Sequence, residues 1–127
     1  MINSLKTASF HGLPAKKYQV KELLGRLSTS DSSFEIGFLE GLLMISFTQY
    51  ASDINSGVLV PSEVDSDIVR ESKLKDPIFY IRGLISRNPY DYFRSLGPQS
   101  SEYSRLLVEQ YKLMEVVKNG GWSTISM

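Results

Sequence analysis

The stretch that most constrains this chain is FEIGFLEGLLMISFTQYASDI, residues 34–54. Ile36, Leu39, Leu43, Phe47, Tyr50 and Ile54 recur at steps of three and four, which places them on one face of an α-helix. Phe34, Phe38, Leu42 and Ile45 form a second stripe beside the first, so the helix is apolar around most of its girth. A helix of that kind is expected at the centre of a bundle, packed on several sides. Gly37 and Gly41 each cost about 1 kcal/mol relative to alanine inside a helix, and close approach of a neighbouring helix would compensate. Its apolar run, Phe34 to Phe47, is too short for the roughly 20 apolar residues of a spanning helix, and Glu35 and Glu40 interrupt it. It reads as a buried helix, with no membrane span.

The rest of the chain is punctuated as helix after helix. Leu5, Ala8 and Phe10 predict a short opening helix that Gly12 and Pro14 end. A second helix is expected over Tyr18 to Leu27, with Val20, Leu23, Leu24 and Leu27 on one face. Ser32 and Glu35 have the spacing of a capping box at the start of the long helix. Gly57 ends that helix, and Ser62 to Leu74 predicts a weaker, more exposed one. Asp76–Pro77 and Asn88–Pro89 repeat one device, a capping side chain followed by proline at the first helical position. They open helices at Pro77–Ser86 and Pro89–Leu96. A last helix over Ser101 to Lys118 is expected to bury Tyr103, Leu106, Leu107, Met114 and Val117. No stretch alternates with period two. The expected fold is all-α, about six to seven helices around a long central helix (about 33–54), without a sheet, in a single domain over 1–127.

Chemistry is sparse. The chain has no cysteine and one histidine, which excludes disulfides, thiolate metal sites, a cysteine nucleophile and multi-histidine metal sites. His11 would have to serve any Ser–His–Asp triad, yet no G-x-S-x-G elbow exists. It reads as a loop histidine, solvated or capping terminal carbonyls. The carboxylates of EVDSD (Glu63 to Asp67) lack the glycine and distal glutamate of a calcium loop. The glycines form no phosphate-cradling pattern, so no cofactor is expected. With 14 basic and 14 acidic residues the formal net charge is zero, which argues against a nucleic-acid partner. Tyr90, Tyr92, Phe93 and Arg94 lie close together. They are either core plus a helix rim or a protein-contact patch, since tyrosine and arginine are enriched at binding hot spots.

The C-terminal KNGGWSTISM raises its own question. Gly120 and Gly121 can take the positive φ that ends a helix, and the single tryptophan, Trp122, follows at once. Trp122 is either a core clamp on the last helix or, with Gly120 and Gly121, an interdomain contact, residues 120–127 being the exit toward a further region.

Several signposts resemble one family. Ala8, His11, Gly12, Leu13, Pro14 and Tyr18 match an opening in which a helix ends at His-Gly-Leu. Phe47, Tyr50, Asp53, Gly57 and Pro61 match its helix-to-loop signature, and Leu96, Pro98, Tyr103, Leu106, Leu107 and Tyr111 its closing helix before GGW. Together they resemble the helical scaffold domain of the larger Gram-negative L,D-transpeptidases, over about Leu5 to Ile125. One departure is Ser123, where the family tends to have proline. The resemblance implies a non-catalytic piece of a peptidoglycan cross-linking enzyme whose catalytic cysteine lies outside this chain. It also implies a periplasmic setting, with the enzyme's own catalytic and peptidoglycan-binding parts, and peptidoglycan itself, as partners. Residues 1–10 carry no signal-peptide pattern. The competing expectation is a free-standing helical adaptor that binds another protein.

Overall fold

A computed structural model of the chain describes residues 1–69 and 74–122. Among the described residues there are seven α-helices and two short 3-10 turns, and no strand. The helices are α1 (Ile2–Lys6), α2 (Val20–Leu27), α3 (Ser33–Ser56), α4 (Pro61–Val64), α5 (Pro77–Ser86), α6 (Pro89–Leu96) and α7 (Ser101–Lys118). The all-α expectation holds. The residues fall into two units, Met1–Gly97 and Pro98–Met127.

Helix starts follow the side chains that cap them. Ser32 Oγ accepts from the Glu35 amide at 3.1 Å, opening α3. Asp76 accepts from the Ile78 amide at 2.7 Å and opens α5. Asn88 accepts from the amides of Tyr90 and Asp91 and opens α6. Each side chain satisfies amides that have no partner within their own helix. The opening segment is shorter than its pattern suggested. α1 stops at Lys6, and a 3-10 turn over Ala8–His11 ends at Gly12 with φ of +70°. The second helix also starts later, at Val20, because a 3-10 turn over Ala15–Tyr18 and the left-handed Gln19 intervene.

In the 1–97 unit α3 is the common wall, touching α1, α2, α5, α6 and the Ala15–Tyr18 turn. Leu39, Phe47, Tyr50 and Ile54 of the predicted stripe are buried, with Ala51 beside them, whereas Leu43 is half-buried and Ile36 is exposed. Phe47, Tyr50, Ala51 and Ile54 meet Leu5, Ala8, Tyr18, Val20, Tyr80, Tyr92 and Leu96 in one core. The second stripe is a correction. Phe34 is 83% exposed, Phe38 and Ile45 are also exposed, and Leu42 is half-buried. The helix is therefore covered along one face only, and the Arg26 guanidinium 5.2 Å from the Phe38 ring gives partial shelter. Gly37 and Gly41 are corrected with it, because a Cβ at either would meet nothing within 4 Å.

The close approach lies elsewhere, at Gly83 of α5. A Cβ there would sit well inside van der Waals contact of the Tyr92 ring. The missing side chain lets the buried Tyr92 lie across α5 and donate its hydroxyl to the Tyr80 carbonyl at 3.0 Å. Phe93 then packs edge-on against Phe47, with ring centroids 5.4 Å apart.

Two further readings change. The weak helix expected over 62–74 reduces to α4 and a turn; residues 70–73 lie outside the described residues. α7 buries none of its residues. Tyr103 and Leu107 are half-buried, while Leu106, Met114 and Val117 are exposed. It closes as expected for a left-handed glycine stop, with Gly120 donating to the Val117 carbonyl and Gly121 to that of Val116. That pair of bonds is the Schellman arrangement.

Two substitutions test the α5–α6 contact with opposite signs. Gly83→Ala forces a methyl group into the Tyr92 ring and should destabilise by about 1–3 kcal/mol, read as a lowered urea midpoint. An unchanged midpoint would mean that the ring yields freely. The Tyr80 hydroxyl is buried without a partner, so Tyr80→Phe removes an unsatisfied group. It should be neutral or stabilising by up to about 1 kcal/mol, and a clear loss of stability would contradict that.

Candidate functional site

The most organised polar group in the described residues is built on Asp53. α3 places it three residues after Tyr50 and six after Phe47, on the buried face, and its side chain is only 11% exposed. A lone buried carboxylate is unfavourable unless it is paired and hydrogen-bonded. Lys17 supplies the charge, donating to the two carboxylate oxygens at 2.9 and 2.7 Å. Tyr18 donates its hydroxyl to Oδ2 at 2.8 Å. Burial, and then the bonded Asp53 carboxylate, push the Tyr18 phenol far above its ordinary range. The hydroxyl therefore stays protonated and acts only as a donor. Tyr18 also meets Tyr50 edge-on, with centroids 5.7 Å apart.

The arrangement is a fastening, in which both donors are occupied by one acceptor. His11 sits half-buried at the end of the Ala8–His11 turn, and desolvation lowers its pKa. Among the described residues no group of histidine, aspartate and glutamate is arranged to hold a metal ion. No described helix is long and apolar enough to cross a membrane.

The structure divides the expected partner patch. Tyr90 and Arg94 are exposed, Tyr92 is buried and Phe93 is half-buried against the core. Only Tyr90 and Arg94 remain at the surface, because the helical spacing sends Tyr92 inward together with Leu96. Trp122 is 69% exposed. Gly120 and Gly121 take φ of +104° and +77° and direct the chain away from the end of α7. Ser123 lies outside the described residues.

Sequence reasoning named Tyr18 and Asp53 as signposts without joining them, and passed over Lys17. Only a cation beside Tyr18 and an acid inside an apolar stripe hinted at the pairing. A family model described as a scaffold domain matches residues 1–109. The chain belongs to the scaffold-domain family. A search of curated proteins and one of solved structures each found no match. The matched range runs from the start of α1 well into α7, so it includes every element that contributes to the Asp53 tie.

Loss of the acceptor and loss of the cation should differ in cost. Asp53→Ala leaves the buried Tyr18 hydroxyl without an acceptor and should cost about 1–3 kcal/mol. Lys17→Met removes a cation that is 44% exposed, and should cost less than about 1 kcal/mol because water screens such pairs. Urea denaturation of both variants and of the double mutant decides it. Equal losses would show that the ion pair, rather than the phenol, carries the tie.

Proposed function

We propose that this chain is the non-catalytic scaffold domain of an L,D-transpeptidase, acting in the periplasm during cell-wall remodelling. Its task is to orient the catalytic and peptidoglycan-binding parts of the parent enzyme on a rigid helical body. Membership of the scaffold-domain family supports this reading, as do the ordered signposts from Ala8 to Tyr111. Rigid placement matters to such an enzyme because misplacing reacting groups by about 1 Å can cost a hundredfold in rate. The chemistry itself requires a cysteine that this chain lacks.

The observation that carries the proposal is the surface around α7. Leu106, Val108, Tyr111, Leu113, Met114, Val117 and Trp122 are all exposed. Exposed apolar side chains gathered on one helix favour a surface that is covered in a larger protein. A scaffold helix that meets the other parts of its enzyme would present such side chains, with Trp122, Gly120 and Gly121 at the interdomain contact.

The test is the mass and location of the native protein. An antibody against this domain should detect a species far larger than 14.3 kDa in the envelope fraction of the cells that make it. Tryptic peptides of that species should include a cysteine set among histidine, glycine and arginine. A soluble species of 14.3 kDa would overturn the proposal and favour a free-standing adaptor.

A further inference from the structure

A groove of about 650 Å³ opens on the 1–97 unit, between α1, the Ala15–Tyr18 turn and α2. That volume lies within the usual range of ligand clefts. Its floor is apolar, with Leu5 and Val20 buried and Leu24 half-buried. Three lysines line it, one from each element: Lys6 from α1, Lys16 from the turn and Lys21 from α2. Among the described residues none of the three has an ion-pair partner. The one acid lining the groove is Glu22, so the groove carries a surplus of two positive charges.

The wall is preformed. Gln19 lines the groove and is the one non-glycine residue with positive φ, at +49°, among those described. Such a conformation persists only where its surroundings hold it. The two residues before it, Lys17 and Tyr18, are the ones bound to Asp53. The tie that fastens the core thus also fixes the edge of the groove.

Cations drawn from three separate elements suit an occupant with several spaced carboxylates better than one with a single acidic head. The same unit carries a stretch with that chemistry. Residues 61–69 contain Glu63, Asp65 and Asp67 and no cation, and they expose Val64, Ile68 and Val69, the last at 97%. None of these residues lines the groove of its own molecule. We propose that the groove takes the 61–69 segment of a second copy of this chain, valine and isoleucine on the apolar floor and carboxylates against the lysine rim. With a net charge of zero, no long-range repulsion opposes the encounter of two copies. The apolar side chains supply the affinity, and the charges set the register. The contact joins two different surfaces, so a pair of copies still has one free groove and one free segment between them and the assembly can extend. This self-association goes beyond the scaffold role and does not depend on it.

Sedimentation velocity on the full chain tests the proposal, over roughly 1 to 1,000 µM. Association should rise with concentration, and it should weaken when salt is raised from about 0.05 to 0.5 M, because the rim charges are screened. One variant, Lys6→Glu/Lys16→Glu/Lys21→Glu, loses the groove. Another, Val64→Ser/Ile68→Ser/Val69→Ser, loses the segment. All six positions are exposed, and the melting curves of both variants check that they fold. Each alone should associate at least tenfold more weakly than the native chain. Mixed together, they should form a one-to-one heterodimer that grows no further, since one still offers a segment and the other a groove. A native chain that stays monomeric over the whole range overturns the proposal. So does association that survives either variant, or a mixture that forms no heterodimer.

Discussion

A carboxylate inside an apolar helix face is the constraint on which the 1–97 unit depends. Asp53 stands among Tyr50, Ala51 and Ile54, where a carboxylate must be hydrogen-bonded and paired. Its partners come from a segment distant in sequence, the Ala15–Tyr18 turn, and both arrive within hydrogen-bond distance. The turn must therefore dock on α3 with Lys17 and Tyr18 pointing inward together. Gln19 takes its left-handed conformation directly after that docking, and α2 follows. One buried acid thus fixes the path of the chain between α1 and α2 as well as the contact of both with α3.

The second fixed point is a gap. Gly83 provides the space that Tyr92 fills, and the Tyr92 hydroxyl returns to the backbone of α5. A Cβ at this position would force the Tyr92 ring to shift, and with it the hydroxyl that bonds the Tyr80 carbonyl. Tyr92 brings Phe93 with it, and Phe93 meets Phe47 only two turns from Asp53 along α3. The two anchors, one electrostatic and one steric, therefore share a wall.

Much of this was legible in the sequence, and the limit has a physical form. Helix starts at Ser32, Asp76 and Asn88 could be read because capping is local: a side chain bonds an amide two or three residues ahead. The glycine stops at Gly57 and Gly120 are local for the same reason. The stripe from Leu39 to Ile54 was readable because burial follows helical period. What stayed hidden depends on residues far apart in the chain. The Lys17–Asp53 pair spans 36 positions, and no spacing rule links them. Gly83 looked like any glycine within a helix, whereas Gly37 and Gly41 looked more informative and face open space. The stripe of Phe34, Phe38 and Ile45 showed the limit most clearly. Apolar composition identifies a face that water disfavours, but not whether this chain or another one covers it.

That distinction bears on function. Both α3 and α7 leave apolar side chains exposed among the described residues. The central claim is that residues 1–97 hold themselves together through the α3 wall, whereas α7 buries none of its own residues. Amide hydrogen exchange followed by mass spectrometry on the isolated chain tests this directly. Amides of residues 47–54 should be the slowest to exchange, and those of α7 should exchange on the order of a hundredfold faster, as expected for a helix with few buried contacts. Protection of α7 equal to that of residues 47–54 would contradict the account, because its apolar face would then already be covered.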